Sequence, residues 1–466
     1  MSCQNSAAAV FDEKFCRETV PEPILFILAG ASGDLAARKI FPALSALKRA
    51  GLFHRESRII ALSRRFSSLS QLKAASGFDD ILDDVVTHFN FDIAVSGAAA
   101  ELAAFLDRCE LSCGKAGRIY YFALPYTAFP DMLKAFAGAG LFEEKPSRPF
   151  CNLVLEKPLG GNRAESNRLH RLLRSSLKEH QIYFMDHYLG KDDVQNILMM
   201  RFANILFSEI WNSSCIDSII IGTQEVSGIS GRAAYFDRAG IINDMFQSHL
   251  LLMLGYCLME KPLNTNFYSL NCALENALRY VTFDKLLFVG QYDGYLQEKQ
   301  IMANSRTPTC ADVLLKNNAK NWNRVKIRLF AGKRFACDRS FIRINFKSRQ
   351  LPFMPEGIRL PGNSIELELK PASGIHLKIC TKQPGPHLCI GNLTFSNTIS
   401  GVQPSDGYRR LLLDCQNCDR TLFPGFAVLS ETSRICDDIT EHISGKTLTI
   451  YPGRSLDFSH PEEYFR

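Results

Sequence analysis

A chain of 466 residues with 46% hydrophobic residues can bury a large core and divides into two or three domains, which excludes a disordered or fibrous polymer. Its 54 Lys and Arg against 48 Asp and Glu leave a net charge of +6 without concentrated cationic runs, so no nucleic acid is expected and a small anion is the better partner. Fifteen cysteines would suit a secreted scaffold, but no signal-peptide pattern opens the chain and the cysteines are scattered through apolar segments, which predicts a reducing cytoplasm. Residues 1–20 are small and polar and read as a tail. From residue 24 the order is an apolar strand, a glycine turn, a helix in "ARKIFPALSALKRAG" and a second strand in "SRIIALSRR", which makes one βαβ unit. The strand "GRIYYFALP" and a helix in "DMLKAFAGAGLF" follow, then the strand "FCNLVLEKPLG" and a helix in "NRAESNRLHRLLRSSLKEH". Strands alternating with helices predict a parallel, doubly wound, Rossmann-like domain over 21–186. Beyond "DHYLGKDD" the texture changes. Alternating stretches such as "RVKIRLFAG", "FIRINFKS" and "SIELELKP", with apolar helices near 241–259, predict an α+β domain with a mostly antiparallel sheet over 187–466. The run "MFQSHLLLMLGYCLM" is too short to span a bilayer, so no membrane segment is expected.

The stretch "ILFILAGASGDLAARKIFPALSAL" carries the first chemistry. Gly30 and Gly33 permit a tight turn and let a pyrophosphate approach amides at a helix N-terminus, where the helix dipole favours negative charge. The spacing lacks the middle glycine of the dinucleotide fingerprint, and a plain strand-to-helix turn fits it equally well. The next strand runs into Arg64 and Arg65, where an NAD site places an acidic residue on the ribose, and two cations suit the 2′-phosphate of NADP. A solvated basic strand end is the alternative reading. Farther on, Asp186, His187, Tyr188 and Lys191 fall within six residues, and His187 and Lys191 are four apart, able to share a helical face toward one phosphate. A capped helix start explains the same spacing. His249 shares a helical stripe with Ile242, Met245, Phe246 and Met253. On that stripe alone it is a core histidine, and only a carboxylate partner would make it a catalyst. Lys157 stands at a strand end, where an α/β sheet gathers its ligands. Cys415 and Cys418 lack a second ligand pair at zinc spacing and read as thiols, so no metal is expected.

Taken together and in order, "GASGDLAARK", "LEKPLG", "DHYLGKDDVQN", "RFAN", "YFDRAGIINDMFQSHLLLML" and "MEKP" resemble the glucose-6-phosphate dehydrogenase family, from about residue 24 to about 350 and more weakly beyond. The resemblance implies oxidation of glucose 6-phosphate to the 1,5-lactone with NADP, the first step of the oxidative pentose phosphate pathway, by a homodimer or homotetramer. It implies that His249 is the general base and Asp186 the carboxylate that orients it. His187, Tyr188 and Lys191 then bind the sugar phosphate, Glu225 and Asp244 hold sugar hydroxyls, and Lys333 is a further substrate lysine. Lys157 lies between substrate and coenzyme in the family. Gly30, Ser32, Gly33, Asp34 and Leu35 correspond to the coenzyme turn, Lys39 to a nearby lysine, and Arg64 to the arginine that selects the 2′-phosphate.

The chain also departs from the family. Tyr126 replaces a second proline after "ALP", which reshapes one coenzyme loop, and Asp338 stands where a basic residue is usual after Lys333, with Arg339 one step on. Some members hold a second, structural NADP. Phe330 at one of its arginine positions, Lys370 at another changed position and an unlike C-terminal segment argue against that nucleotide here. Two rival functions remain to be weighed. The triplet "EKP" also occurs in the Gfo/Idh/MocA-like sugar oxidoreductases, which lack "DHYLGK". A non-catalytic NADP-binding paralogue would have lost His249, Asp186 or the phosphate residues, and all are present.

Overall fold

A computed structural model describes residues 18–454 except 147, 230, 232, 350–359, 361, 387–388 and 399–406. The tail read over 1–20 therefore lies outside the described residues apart from 18–20. Two compact units emerge: one runs to residue 124 and takes in 134–153 and 412–419, and the other takes in 125–133, 154–411 and the chain from 420 onward.

The N-terminal apolar runs become parallel strands. They are β1 (Ile24–Ala29), β2 (Arg58–Ser63), β3 (Val86–Asn90), β4 (Gly117–Phe122), β5 (Cys151–Glu156) and β6 (Ile182–Met185), hydrogen-bonded in the order β3-β2-β1-β4-β5-β6. This is the Rossmann order. β1 and β4 are buried along their whole length because a parallel sheet is covered on both faces, which is why their sequences run apolar without alternation. In register, Ile27 lies between Ile60 of β2 and Tyr120 of β4. The helix predicted after β1 begins as a π-helical turn, Ala36–Ile40, and continues as the α-helix Phe41–Arg49. The change falls at Pro42, which has no N–H to continue the ladder. In the same unit Arg118 and Arg148 are buried, and Glu110 and Asp107 bind both.

The second unit is built on nine strands: β7 (Ile216–Glu225), β8 (Val281–Tyr292), β9 (Cys310–Asn317), β10 (Lys326–Lys333), β11 (Arg339–Phe346), β12 (Ser364–Lys370), β13 (Gly374–Lys382), β14 (Ile390–Thr398) and β15 (Thr449–Tyr451). Their order is β14-β13-β12-β11-β7-β10-β9-β8-β15, antiparallel except for the parallel pairs β7–β10 and β8–β15. The stretches "RVKIRLFAG", "FIRINFKS" and "SIELELKP" form β10, β11 and β12, as their alternation predicts. Ile219, Ile221, Ile327 and Leu329 of the sheet join Phe246, Leu250, Met253 and Leu254 in one buried apolar cluster. Each such side chain contributes roughly 1.5–3 kcal/mol through burial. The helix Arg163–Ser176 packs on the helix Phe426–Ile443, and the Tyr183 ring meets Phe423 edge-on at 4.9 Å. These contacts place residues 154–186 in the second compact unit, whereas the sequence suggested a boundary near 186.

No described helix is long and apolar enough to cross a membrane. No disulfide joins the cysteines among the described residues.

Candidate active site

Strand ends and one helix of the second unit assemble a polar cluster. β5 ends at Glu156 and delivers Lys157; β6 ends at Met185 and delivers Asp186, from which a turn carries His187, Tyr188 and Lys191 to the start of the helix Asp192–Phe202. The third contributor is Ile242–Leu250, which bears Asp244 and His249 and is π-helical. That widened winding explains why His249 stays partly exposed on a stripe whose Ile242, Met245 and Phe246 are buried.

The His249 Nδ1–H donates to Asp186 Oδ1 at 2.9 Å, which leaves Nε2 as the acceptor. Asp186 is the carboxylate partner that the apolar stripe could not reveal. Its Oδ1 also accepts from the Tyr188 N–H at 3.0 Å, and its Oδ2 accepts from Lys157 Nζ at 2.7 Å. Lys157 donates as well to the Ser248 carbonyl at 3.1 Å, so it ties β5 to the helix that holds the histidine. Burial pushes the Asp186 carboxyl upward, but Lys157 and His249 more than offset it and hold it well below the usual carboxylate range. The same burial draws Lys157 below the ordinary lysine value despite the pull of Asp186.

The Tyr188 ring stacks on His249 at 4.1 Å, and Lys191 Nζ sits 4.0 Å from its centroid on that ring. Tyr188 is itself buried, which raises its phenol pKa, and its hydroxyl bonds Ser340, which in turn bonds Thr223 at 2.9 Å. His187 lies edge-on to His249 at 4.9 Å. Glu225 and Lys333 end neighbouring strands and are register partners in the parallel pair β7–β10. They form an ion pair, with Asp244 Oδ2 3.2 Å from the same ammonium. Burial alone would lower the Lys333 pKa, but Asp244 and Glu225 reverse this and raise it. All the expected substrate residues therefore fall in one unit.

Asp186, His187 and His249 offer ligand atoms within 4.8 Å of one another, the one such group among the described residues. The Lys157 ammonium already occupies Asp186 Oδ2 at 2.7 Å, and Oδ1 is taken by His249 and the Tyr188 N–H. Asp338 accepts from the Val226 N–H at 3.0 Å and pairs with Lys370 at 3.2 Å, so the departure from the family pattern is absorbed locally. Phe330 is a core side chain: a Cβ on Gly222 would lie 2.1 Å from its ring. The Tyr126 hydroxyl bonds Glu165, which holds the Gly161 N–H at 2.8 Å, while Asn243 holds the Gly161 carbonyl at 3.1 Å. Sequence reasoning missed Ser340, which belongs to no recognisable motif, and Ser248, which lies in one but acts through its backbone carbonyl.

The glycine turn and the arginines lie in the first unit. Gly30 has φ +89°, and a Cβ there would approach the Ala123 carbonyl oxygen to 2.4 Å, so only glycine fits. The Gly33 N–H closes the turn on the Gly30 carbonyl at 3.0 Å. Ser32 and Leu35 are partly exposed, and Asp34, Arg38 and Lys39 are exposed, with Asp34 3.4 Å from Arg38. β2 ends at Ser63, after which Arg64 and Arg65 stand exposed with no carboxylate in that position. These features suit a nicotinamide dinucleotide.

Comparison with known proteins points the same way. Residues 27–196 match the glucose-6-phosphate dehydrogenase NAD binding domain, and residues 198–465 match the C-terminal domain of the same family. Glucose-6-phosphate 1-dehydrogenase of Caenorhabditis elegans is 30% identical over 91% of this chain and 86% of its own length. The cytoplasmic isoform of Solanum tuberosum is 32% identical over 87% and 84%. A glucose-6-phosphate dehydrogenase solved in complex with its substrate glucose-6-phosphate superposes with a TM-score of 0.85 at 26% identity, covering 96% of this chain and 98% of that one. The Mycobacterium avium enzyme gives 0.80 at 27%, covering 93% and 95%. A levoglucosan dehydrogenase, at 11% identity and a TM-score of 0.52, shares the fold alone. With its parallel dinucleotide fold, its polar cluster at the strand ends and matches along nearly its whole length, the chain is an oxidoreductase of the glucose-6-phosphate dehydrogenase family.

Proposed function

We propose that the chain oxidises D-glucose 6-phosphate at C1 to 6-phospho-D-glucono-1,5-lactone with NADP as hydride acceptor. The observation that carries this reading is the Lys157–Asp186–His249 chain of hydrogen bonds, which leaves His249 Nε2 free of the proton that Nδ1 shares with Asp186. Nε2 takes the proton of the C1 hydroxyl as the C1–H bond gives up its hydride and the C=O double bond forms. Asp186 stabilises the imidazolium, and Lys157 keeps Asp186 ionised and fixed. NADP, when bound, supplies the two-electron acceptor. His187, Lys191 and the turn around Tyr188 hold the phosphate, while Glu225, Asp244 and Lys333 hold hydroxyls; an ammonium flanked by two carboxylates offers both donors and acceptors to a sugar. Gly30, Ser32, Gly33, Asp34 and Leu35 receive the pyrophosphate, with Lys39 beside them and Arg64, supported by Arg65, on the 2′-phosphate.

In this reading residues 21–186 are the coenzyme-binding domain and 187–466 the substrate-binding and dimerisation domain. Lys157 and Asp186 are lent to the substrate site from the strand ends of the former. Assembly as a homodimer or homotetramer is supported by the edge strand β14, whose Leu393 and Phe395 are exposed; sedimentation velocity tests it. The cytoplasm is the proposed compartment, in line with relatives named as cytoplasmic forms. The deciding experiment follows the absorbance of reduced nicotinamide with glucose 6-phosphate and either coenzyme. Turnover with NADP is expected, and His249→Asn should lower kcat by roughly 10² to 10⁴ with little change in KM. A folded His249→Asn protein within a few-fold of wild type would make this the non-catalytic paralogue or return the histidine to the core.

A further inference from the structure

We propose that Tyr408 and the glycine contact beside it are a positioning device for the phosphate-binding turn, a role that rests on reading His187 as a phosphate ligand. The helix Gly407–Gln416 begins against that turn. The Tyr408 ring is buried and lies face to face with the His187 imidazole, with centroids 5.2 Å apart and planes 9° from parallel. Tyr188 meets His187 edge-on from another side at 5.0 Å, and His249 does so at 4.9 Å. Three rings thus bracket the imidazole, and of these Tyr408 is the one stacked parallel to it.

The backbones are as close as the rings. A Cβ on Gly407 would fall 1.9 Å from the His187 carbonyl oxygen, and a Cβ on Gly190 would fall 2.4 Å from the Gly407 carbonyl oxygen and 2.9 Å from Leu411 Cγ. Two glycines, 217 positions apart, let the turn and the helix touch without side chains between them. This accounts for the glycine in "DHYLGK". A histidine that must present a ring N–H to a phosphate loses orientational freedom on binding; a flat partner that fixes the ring beforehand removes that cost, and its π face favours the imidazolium that a phosphate dianion selects.

Tyr408→Leu, Tyr408→Phe, Gly407→Ala and His187→Ala test the role in steady-state assays, with inorganic phosphate as a competing probe. Tyr408→Leu should raise the KM for glucose 6-phosphate and the inhibition constant of phosphate together, roughly tenfold, with kcat and the KM for NADP changed less than about threefold. Tyr408→Phe keeps the face and should restore both constants to within about twofold. Gly407→Ala, whose methyl must push the His187 carbonyl away, should give the pattern of Tyr408→Leu even if the latter fails to fold. If His187→Ala raises both constants while the two other variants leave them unchanged, the positioning role is overturned and the phosphate site stands. If His187→Ala is silent, both readings fall. A parallel loss of kcat and of both KM values in Tyr408→Leu, not restored by Phe, marks general structural damage and also overturns the role.

Discussion

His249 shows how one missing partner changes the meaning of a residue. On an apolar stripe it reads as core; with Asp186 at 2.9 Å on Nδ1 it becomes the candidate base. Asp186→Asn should therefore lower kcat, though less than His249→Asn, because the imidazole remains but is badly held and its cation unsupported. The same substitution leaves Lys157 buried without its counter-charge, a change that costs about 3–5 kcal/mol. The Asp186 carboxyl is held below its unfolded value, so its contribution is present at pH above that value and is lost as pH falls through the folded one. The stability gap between wild type and Asp186→Asn, read by urea denaturation, should be full at neutral pH and narrow below about pH 4. A gap constant with pH would mean that Asp186 is not ionised in the fold. At the other ligand, Arg64→Ala should raise the KM for NADP and leave that for NAD nearly unchanged, since only NADP carries a 2′-phosphate for a guanidinium to pair. Equal losses for both coenzymes would remove Arg64 from that role.

The helix that follows His249 is held at its far end in a way that no motif announces. Leu251–Leu258 is buried throughout, and its last carbonyls have no partners within the helix. Arg201 donates to the Tyr256 and Met259 carbonyls at 2.5 Å each, Trp211 Nε1 to Cys257 at 2.9 Å, and Trp322 Nε1 to Leu258 at 2.8 Å. The only two tryptophans of the chain thus serve one helix end. Trp322→Phe keeps most of the volume but leaves the Leu258 carbonyl buried and unsatisfied, which should cost about 1–3 kcal/mol in denaturant unfolding. An unchanged midpoint would show that water or another donor replaces the indole. Elements of this kind mark where sequence reading stops. β1, β2, β4 and β5 were legible because covered parallel strands run apolar throughout, and β10 to β12 because one-sided strands alternate. The parallel pairing of β7 with β10 was not, since alternation says nothing of direction between strands about a hundred residues apart. The π-helical winding at 242–250 was invisible to a 3.6-residue stripe. In the site, the chemistry of Lys157, Asp186 and His249 could each be guessed, but their meeting depends on three elements whose packing local pattern does not encode. The Gly190–Gly407 contact was out of reach for the same reason.

At the scale of the whole chain, the proposed ligand sets separate by unit. His187, Tyr188, Lys191, Glu225, Asp244, His249 and Lys333 belong to the second unit, and Gly30 to Leu35, Lys39 and Arg64 to the first. A ligand that binds only the folded state stabilises what it touches, by about 2.7 kcal/mol at a hundredfold excess over Kd, or up to about a hundredfold slowing of exchange through local opening. Glucose 6-phosphate added alone should therefore slow amide hydrogen exchange in 186–191 and 242–250 and leave 30–39 near its free rate. NADP added alone should do the reverse at the turn, where the Gly33 N–H is held by the Gly30 carbonyl and the Ala37 N–H by the Gly33 carbonyl at 3.1 Å. Lys157 is the informative exception, because the family resemblance gives it to both ligands while its Nζ is committed to Asp186 and Ser248. If its hydrogen bonds hold the histidine helix in place, Lys157→Met should weaken the substrate's protection of 242–250 without touching the coenzyme's protection of 30–39. Loss of both protections would assign Lys157 to the coenzyme as well as to the base. Protection of 30–39 by glucose 6-phosphate alone, with 186–191 unaffected, would overturn the division of ligands between the units.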